Sequence, residues 1–207
     1  MKKILISVCL MMAVFLPLAA EGATVDSVLT SLTSRNVTTG NFIQEKYSAK
    51  LKKPLKSSGS YVFCRDGIVW QTLKPFKSSM TITQTSLIQV KADGSKTVID
   101  GSANEVFRSV ANTVSSLFSG TRTELEAVFK IDSFTADKGI WNMALTPKDA
   151  TIASALKRVE IGGKLTGNEA SLDSMTIAQS DTESTKYTLK DQNYKKELSD
   201  VEKALFK

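Results

Sequence analysis

Apolar and polar residues alternate in two short runs between Lys56 and Lys77, KSSGSYVFCRDGIVWQTLKPFK, on either side of Arg65-Asp66-Gly67. A side-chain period of two around a turn triplet predicts a β-hairpin with one apolar and one polar face. Ser60 to Cys64 and Ile68 to Leu73 are its strands. Met80 to Gln84 follows, with Met80 and Ile82 on one face. Ser86 to Lys91 pairs with Lys96 to Ile99 across Ala92-Asp93-Gly94-Ser95, where Asp-Gly is a turn signal. Later strands are predicted over Val128 to Phe134, Ile140 to Thr146, Ser154 to Ile161, Ser171 to Gln179 and Ser184 to Lys190. Asp137-Lys138-Gly139, Gly162-Gly163 and Gly167-Asn168 supply the turns between them. Before the first hairpin, Asn41 to Ala49 alternates loosely, with Phe42 and Tyr47 turned inward.

The period changes in three places. Val25, Val28, Leu29 and Leu32 recur at helical spacing over Thr24 to Arg35, and Thr24 or Asp26 can cap that helix. Between Asn104 and Phe118, a second helical stripe comprises Val106, Phe107, Val110, Val114, Leu117 and Phe118, ended by Gly120. The tail from Glu197 to Phe206 reads as a short helix. Many short antiparallel strands with two amphipathic helices predict a mainly β (α+β) fold, a strongly curved sheet or unclosed barrel. Both helical stripes must be buried, and the concave face of the sheet is the simplest place. Periodicity alone does not distinguish an ordinary packed core from a lipid-sized cavity, and the ordinary core is the expectation at this point.

The first residues change where this domain is expected to work. Lys2 and Lys3 precede an apolar stretch from Ile4 to Leu18, and small residues follow at Ala19, Ala20, Gly22 and Ala23. That is the pattern of a cleaved secretory leader, too short for a membrane-spanning helix. Cleavage after Ala20 or after Gly22 fits, giving a leader over 1–22 and one domain over 23–207. Loss of Lys2 and Lys3 lowers the formal charge of +6 by two. The mild positive balance that remains, with Lys50-Leu51-Lys52-Lys53 as its one dense tract, is read as solvated surface, with attraction to anionic lipid headgroups or to an acidic partner as the alternative. Basic residues are not interleaved with aromatic ones, so nucleic acid is not an expected partner. Cys64 is the one cysteine outside the leader, which excludes an internal disulfide and leaves a small apolar strand residue.

The chain has no histidine. The commonest general base, most zinc sites and Ser-His or Cys-His pairs are thereby removed. Carboxylates such as Asp132, Asp137, Asp173 and Asp181 remain, but they fall at strand ends and turns where acids are common. The expectation is a binding protein and not an enzyme, with no cofactor and no metal. An exported carboxylate-dependent hydrolase is the remote alternative.

Several segments, taken in order, resemble the LolA family of periplasmic lipoprotein carriers. They are Gly40-Asn41-Phe42-Ile43-Gln44 after a first helix, Gly59-Ser60-Tyr61, Ile68-Val69-Trp70, Lys74-Pro75-Phe76, Leu145-Thr146-Pro147-Lys148, and the strands at Ser171 to Thr176 and Thr185 to Leu189. The resemblance implies an unclosed antiparallel β-barrel whose helices form a lid over an apolar cavity. It also implies a monomeric periplasmic carrier taking acylated cargo from an inner-membrane exporter to an outer-membrane acceptor. Phe42, Ile68, Trp70, Met80 and Ile82 are then expected to line the cavity, although Trp70 also fits a plain core. Phe107, Val110, Val114, Leu117 and Phe118 would face inward from the lid. Arg65 stands one residue closer to Trp70 than the family arginine that fastens the lid and would take its place; a solvent-facing turn arginine is the alternative. The family commonly continues after Tyr187-Thr188-Leu189-Lys190 into a strand with a Phe-x-Phe-x-Pro-Pro run. This chain has Glu197 to Lys207 instead, which leaves room for cargo other than lipoprotein. A lipid-sensing or protein-binding adaptor of the same fold is the second reading.

Overall fold

The computed structural model describes residues 22–100 and 121–206. Helix α1, Val25–Thr33, starts at Thr24, whose hydroxyl accepts from the Ser27 amide while the Ser27 hydroxyl accepts from the Thr24 amide. This reciprocal cap satisfies two otherwise orphaned donors. Six antiparallel strands follow as a meander: β1 (Val37–Ser48), β2 (Leu55–Cys64), β3 (Gly67–Lys74), β4 (Ser78–Thr83), β5 (Ser86–Val90) and β6 (Lys96–Asp100). Helix α2, Arg122–Val128, leads into β7 (Phe129–Asp137) and β8 (Ile140–Pro147). Helix α3 (Ala150–Ala155), β9 (Arg158–Thr166), β10 (Glu169–Ala170), β11 (Ser174–Ala178), β12 (Glu183–Lys195) and helix α4 (Asp200–Ala204) complete the order. The helix expected over 104–118 lies outside the described residues.

The strands make one twelve-stranded sheet in the order β6-β5-β4-β3-β2-β1-β12-β11-β9-β8-β7, with β10 paired to β9. All the pairings are antiparallel, and β6 and β7 end the path unpaired with each other, so the barrel is not closed. Joining β1 to β12 brings the first meander and the last strand side by side, with Phe42 opposite Leu189.

Alternation places two sets of side chains on opposite faces. The inner face carries the larger core. Val28 and Leu29 of α1 and Leu125 of α2 pack there in one cluster with Phe42, Tyr61, Phe63, Ile68, Trp141, Met143, Ile161, Met175 and Leu189. Trp141 anchors it, wholly buried, with its indole N–H donating to the Ser171 carbonyl at 2.9 Å.

The outer face of β1–β3 carries a second core, which corrects the expectation that the first hairpin has one polar face. Tyr61, Val62 and Phe63 are all buried, and Val69 is as buried as its opposite-facing neighbour Ile68. Their cover is the tail. Leu198, Leu205 and Phe206 pack with Val37, Val62, Val69 and half-buried Cys64. The buried Thr81 hydroxyl donates to the Leu205 carbonyl at 3.0 Å.

Three groups fasten this strap. Ser199 caps α4 and accepts from the Glu202 amide, the Glu202 carboxylate accepts from the Ser199 amide, and Lys195 donates to Glu202 at 2.6 Å. The Lys195 hydrogen bond, followed by the Ser199 amide, holds the Glu202 carboxyl down to about 2 from its ordinary 4.5. A carboxylate held below its unfolded value adds stability that is complete above about pH 4.5 and disappears as pH falls towards 2. We expect Glu202→Gln to lose about 1–2 kcal/mol at neutral pH, because a partner a third exposed is partly screened by solvent. Urea unfolding should show the gap from wild type narrowing steadily as the pH is lowered through that window.

Other sequence expectations are corrected by the pairing. Ser154 and Ala155 belong to α3, not to a strand. Gly162 and Gly163 lie inside β9 rather than in a turn. A Cβ on Gly163 would sit 1.8 Å from the Ser171 carbonyl oxygen, so the pair marks a close backbone approach. Tyr47 is five positions from Phe42 on β1, hence on the other face, and is 40% exposed.

Candidate functional site

The inner face of β1, β2, β3 and β12 presents five aromatic rings in contact. Phe42 and Trp70 have ring centroids 4.6 Å apart, and Tyr187 stands edge-on to Trp70 at 4.9 Å. Tyr61 and Phe63 lie 4.4 Å apart and stack on Trp70 at 5.8 and 5.7 Å. Register explains the assembly. Trp70 sits opposite Tyr61 on one side and Met80 on the other, while Ile68 lies between Phe63 and Ile82. Rows of directly opposite residues share a face. Gly40 permits the arrangement, since a Cβ there would meet the Tyr61 hydroxyl and the Lys190 carbonyl oxygen at 2.7 Å.

The five described residues predicted to line a cavity are therefore brought onto one face. Phe42, Ile68 and Ile82 are buried, Trp70 is half-buried, and Met80 is 38% exposed. The predicted lid residues Phe107, Val110, Val114, Leu117 and Phe118 lie outside the described residues. Arg65 is exposed in the β2–β3 turn and has no hydrogen bond or ion pair among the described residues. Tyr61, Phe63 and Tyr187 were absent from the predicted site. Their signal was legible for two of them, because Tyr61 and Phe63 are two apart on the strand that faces Trp70.

Burial is accompanied by two unpaired donors. The Tyr61 hydroxyl and the Trp70 indole N–H are buried and have no hydrogen-bond partner among the described residues. Burial pushes the Tyr61 and Tyr187 phenols above their ordinary range, so both stay protonated at neutral pH. An unpaired buried donor costs about 1–3 kcal/mol, which an acceptor arriving with a ligand would recover.

A small cavity of about 70 Å³ adjoins the ledge at its β2–β3 end. Tyr61, Phe63, Leu172 and Leu189 wall it, and Arg35, Arg65, Gln192 and Tyr194 stand at its polar side. The Arg35 guanidinium stacks 3.6 Å above the Tyr194 ring. Ligand sites of drug-like size are about 300–1,000 Å³, so this space takes a small group and not a whole acyl chain. A wider cleft of about 1040 Å³ runs between α1 and the β7–β8 and β9–β10 turns, but it is open to solvent and edged by Asp26, Asp137, Lys138 and Glu169.

The carboxylates considered for hydrolysis do not converge. Asp132 and Asp137 are five positions apart along β7, roughly 17 Å, and Asp173 and Asp181 flank opposite ends of β11. Asp132 is paired with Lys130, and Asp181 with Lys157.

Comparison with known proteins gives one family. The family described as outer membrane lipoprotein carrier protein LolA-like matches residues 18–190. No curated protein matches the chain. Among solved structures, a DUF1329 family protein from Desulfovibrio piger superposes with a TM-score of 0.50 at 12% identity, covering 86% of this chain and 92% of that one. A LolA superfamily protein from Nitrosomonas europaea gives 0.44 at 7% identity, over 84% and 93% of the two chains. An outer membrane lipoprotein-sorting protein domain from Vibrio parahaemolyticus gives 0.43 at 9%, over 83% and 92%. The first of these similarities bears on the fold alone.

Proposed function

We propose, from the premise that the chain belongs to the outer membrane lipoprotein carrier protein LolA-like family, that it shields the acyl chains of a lipoprotein or another lipid on its inner face and carries them across the periplasm. Cargo would come from an inner-membrane exporter and pass to an outer-membrane acceptor, without catalysis. A sixteen-carbon chain has roughly 10 kcal/mol of transfer free energy keeping it out of water, at about 0.8 kcal/mol per buried CH₂. It needs an apolar surface to cross an aqueous compartment.

The observation that carries this reading is the aromatic ledge with its two unpaired donors. Half-buried Trp70 and Tyr187, backed by the enclosed Phe42 ring, offer aromatic surface to a hydrocarbon, continued by the exposed Met80. The Tyr61 hydroxyl and the Trp70 N–H can donate to an ester or amide carbonyl at the head of an acyl chain. Cargo must also leave, and replaceable hydrogen bonds worth about 1 kcal/mol each allow that. In this reading Arg65, which borders the small cavity, would fasten a cover over the ledge, and Phe107, Val110, Val114, Leu117 and Phe118 would supply that cover's apolar side.

Trp70 and Trp141 are the two tryptophans. A dibrominated stearate bound on the ledge should quench Trp70 by contact and leave Trp141, enclosed beside Ser171, bright. We expect about half of the emission to be lost, and Trp70→Phe to abolish the quenching while keeping the fold. Unchanged quenching in Trp70→Phe would place the hydrocarbon elsewhere.

A further inference from the structure

We propose that the end of the sheet formed by the β1–β2 and β3–β4 turns is a docking surface for an anionic lipid bilayer. The two turns lie at the same end because β1 to β4 are a simple antiparallel meander. Their tips expose large apolar side chains that the fold does not use: Phe76 is 74% exposed, Leu55 58%, Leu73 52% and Leu51 37%. Around them stand six exposed lysines, Lys50, Lys52, Lys53, Lys56, Lys74 and Lys77.

Acids are scarce at this end. Glu45 lies opposite Lys56 and is bound by it at 2.8 Å, and on the neighbouring strand Glu183 accepts from the Ser48 hydroxyl. Asp181, in the turn before β12, is held by Lys157 at 2.9 Å. The other end of the same strands differs. Its turns, Arg65-Asp66 and Gln84-Thr85, carry one charge of each sign and no large apolar residue. The asymmetry is therefore a property of one end and not of the whole surface.

Apolar tips ringed by lysine match the chemistry of a bilayer interface. Phe and Leu side chains enter the boundary between headgroups and acyl chains, while ammonium groups remain among the phosphates. Adjacent strands are about 4.8 Å apart, so the two turns are near enough to enter one surface together. Attraction to an anionic leaflet acts within about 8 Å at physiological salt, which lysines at turn tips satisfy. Leu55 also lies on the same face as Gln44 and Phe42, two and four positions up the β1 ladder from its partner Lys46. The docked end thus opens towards the aromatic ledge. Docking itself does not depend on acyl capture and is read without cargo.

The test is sedimentation of the purified protein with vesicles of phosphatidylcholine, alone or with about a third phosphatidylglycerol. Expected is at least about tenfold tighter binding to the anionic vesicles, lost near 0.5 M salt. Phe76→Ser with Leu51→Ser should weaken binding about tenfold and leave its salt dependence intact. Lys52→Gln, Lys53→Gln and Lys74→Gln together should remove the preference for anionic lipid. All five positions are exposed, and circular dichroism should confirm the fold. Absence of vesicle binding, equal binding to both compositions, or variants that bind as wild type would each overturn the proposal; the first would leave these turns to a protein partner.

Discussion

Removing the chain beyond Lys196 should destabilise the domain by about 4 kcal/mol and raise the reactivity of Cys64 more than tenfold. The estimate comes from what the strap covers. Leu198 is buried against Val37, Val62 and Val69, and full burial of one such side chain contributes about 1.5–3 kcal/mol. The truncated chain would expose those three valines and leave the Thr81 hydroxyl without the Leu205 carbonyl. It also loses the Lys195–Glu202 pair. Cys64 reports this locally. Its thiol is half-buried under the strap, donates to the Gly67 carbonyl at 3.7 Å, and is pushed up in pKa by burial. Uncovering lowers that pKa and admits reagent, and the thiolate is the reactive species. Urea unfolding and the rate of thiol labelling are the two measurements. Unchanged labelling would mean that the tail does not protect the outer face.

How far the sequence could be read follows from the same residues. The first hairpin was legible because Tyr61, Phe63, Ile68 and Trp70 keep strict alternation towards the inner face. What escaped was the second use of those strands. Val62 and Val69 fall on the face that the alternation assigns as polar, and only a distant segment makes that face a core. Gly162-Gly163 has the composition of a turn, yet it is a strand thinned for the Ser171 backbone. Ser154-Ala155 reads as the start of a strand because a six-residue helix gives too few turns for a helical period. Helix α2 was missed although Thr121 and Glu124 form a reciprocal cap, a signal present in the sequence. The candidate site divides similarly. Phe42, Ile68, Trp70, Met80 and Ile82 were found by alternation within strands. Tyr187 comes from the last strand, and nothing local announces that β12 closes against β1.

The distinction between packed interior and binding ledge predicts opposite outcomes at the two tryptophans. Trp141 lies among Met143, Leu145 and Ile161, opposite Gly163, and its N–H is satisfied by Ser171. Trp141→Ala should cost about 4 kcal/mol, combining lost transfer energy with a cavity that a backbone pinned at Gly163 cannot fill. It also strands the Ser171 carbonyl, which adds to the loss. Trp141→Phe, milder in volume, keeps a folded protein for binding measurements. Acyl capture should survive in that variant, because the ledge is built from other strands. Trp70→Ala should behave in reverse. Its ring is half-buried and its N–H has no partner among the described residues, so the stability loss is about 2 kcal/mol, while acyl affinity falls at least tenfold. Denaturant midpoints together with binding of a fluorescent fatty acid separate the cases. If Trp141→Phe abolished capture and Trp70→Ala left it intact, the hydrocarbon would have to lie under α1, and the ledge on β1, β2, β3 and β12 would be ordinary core.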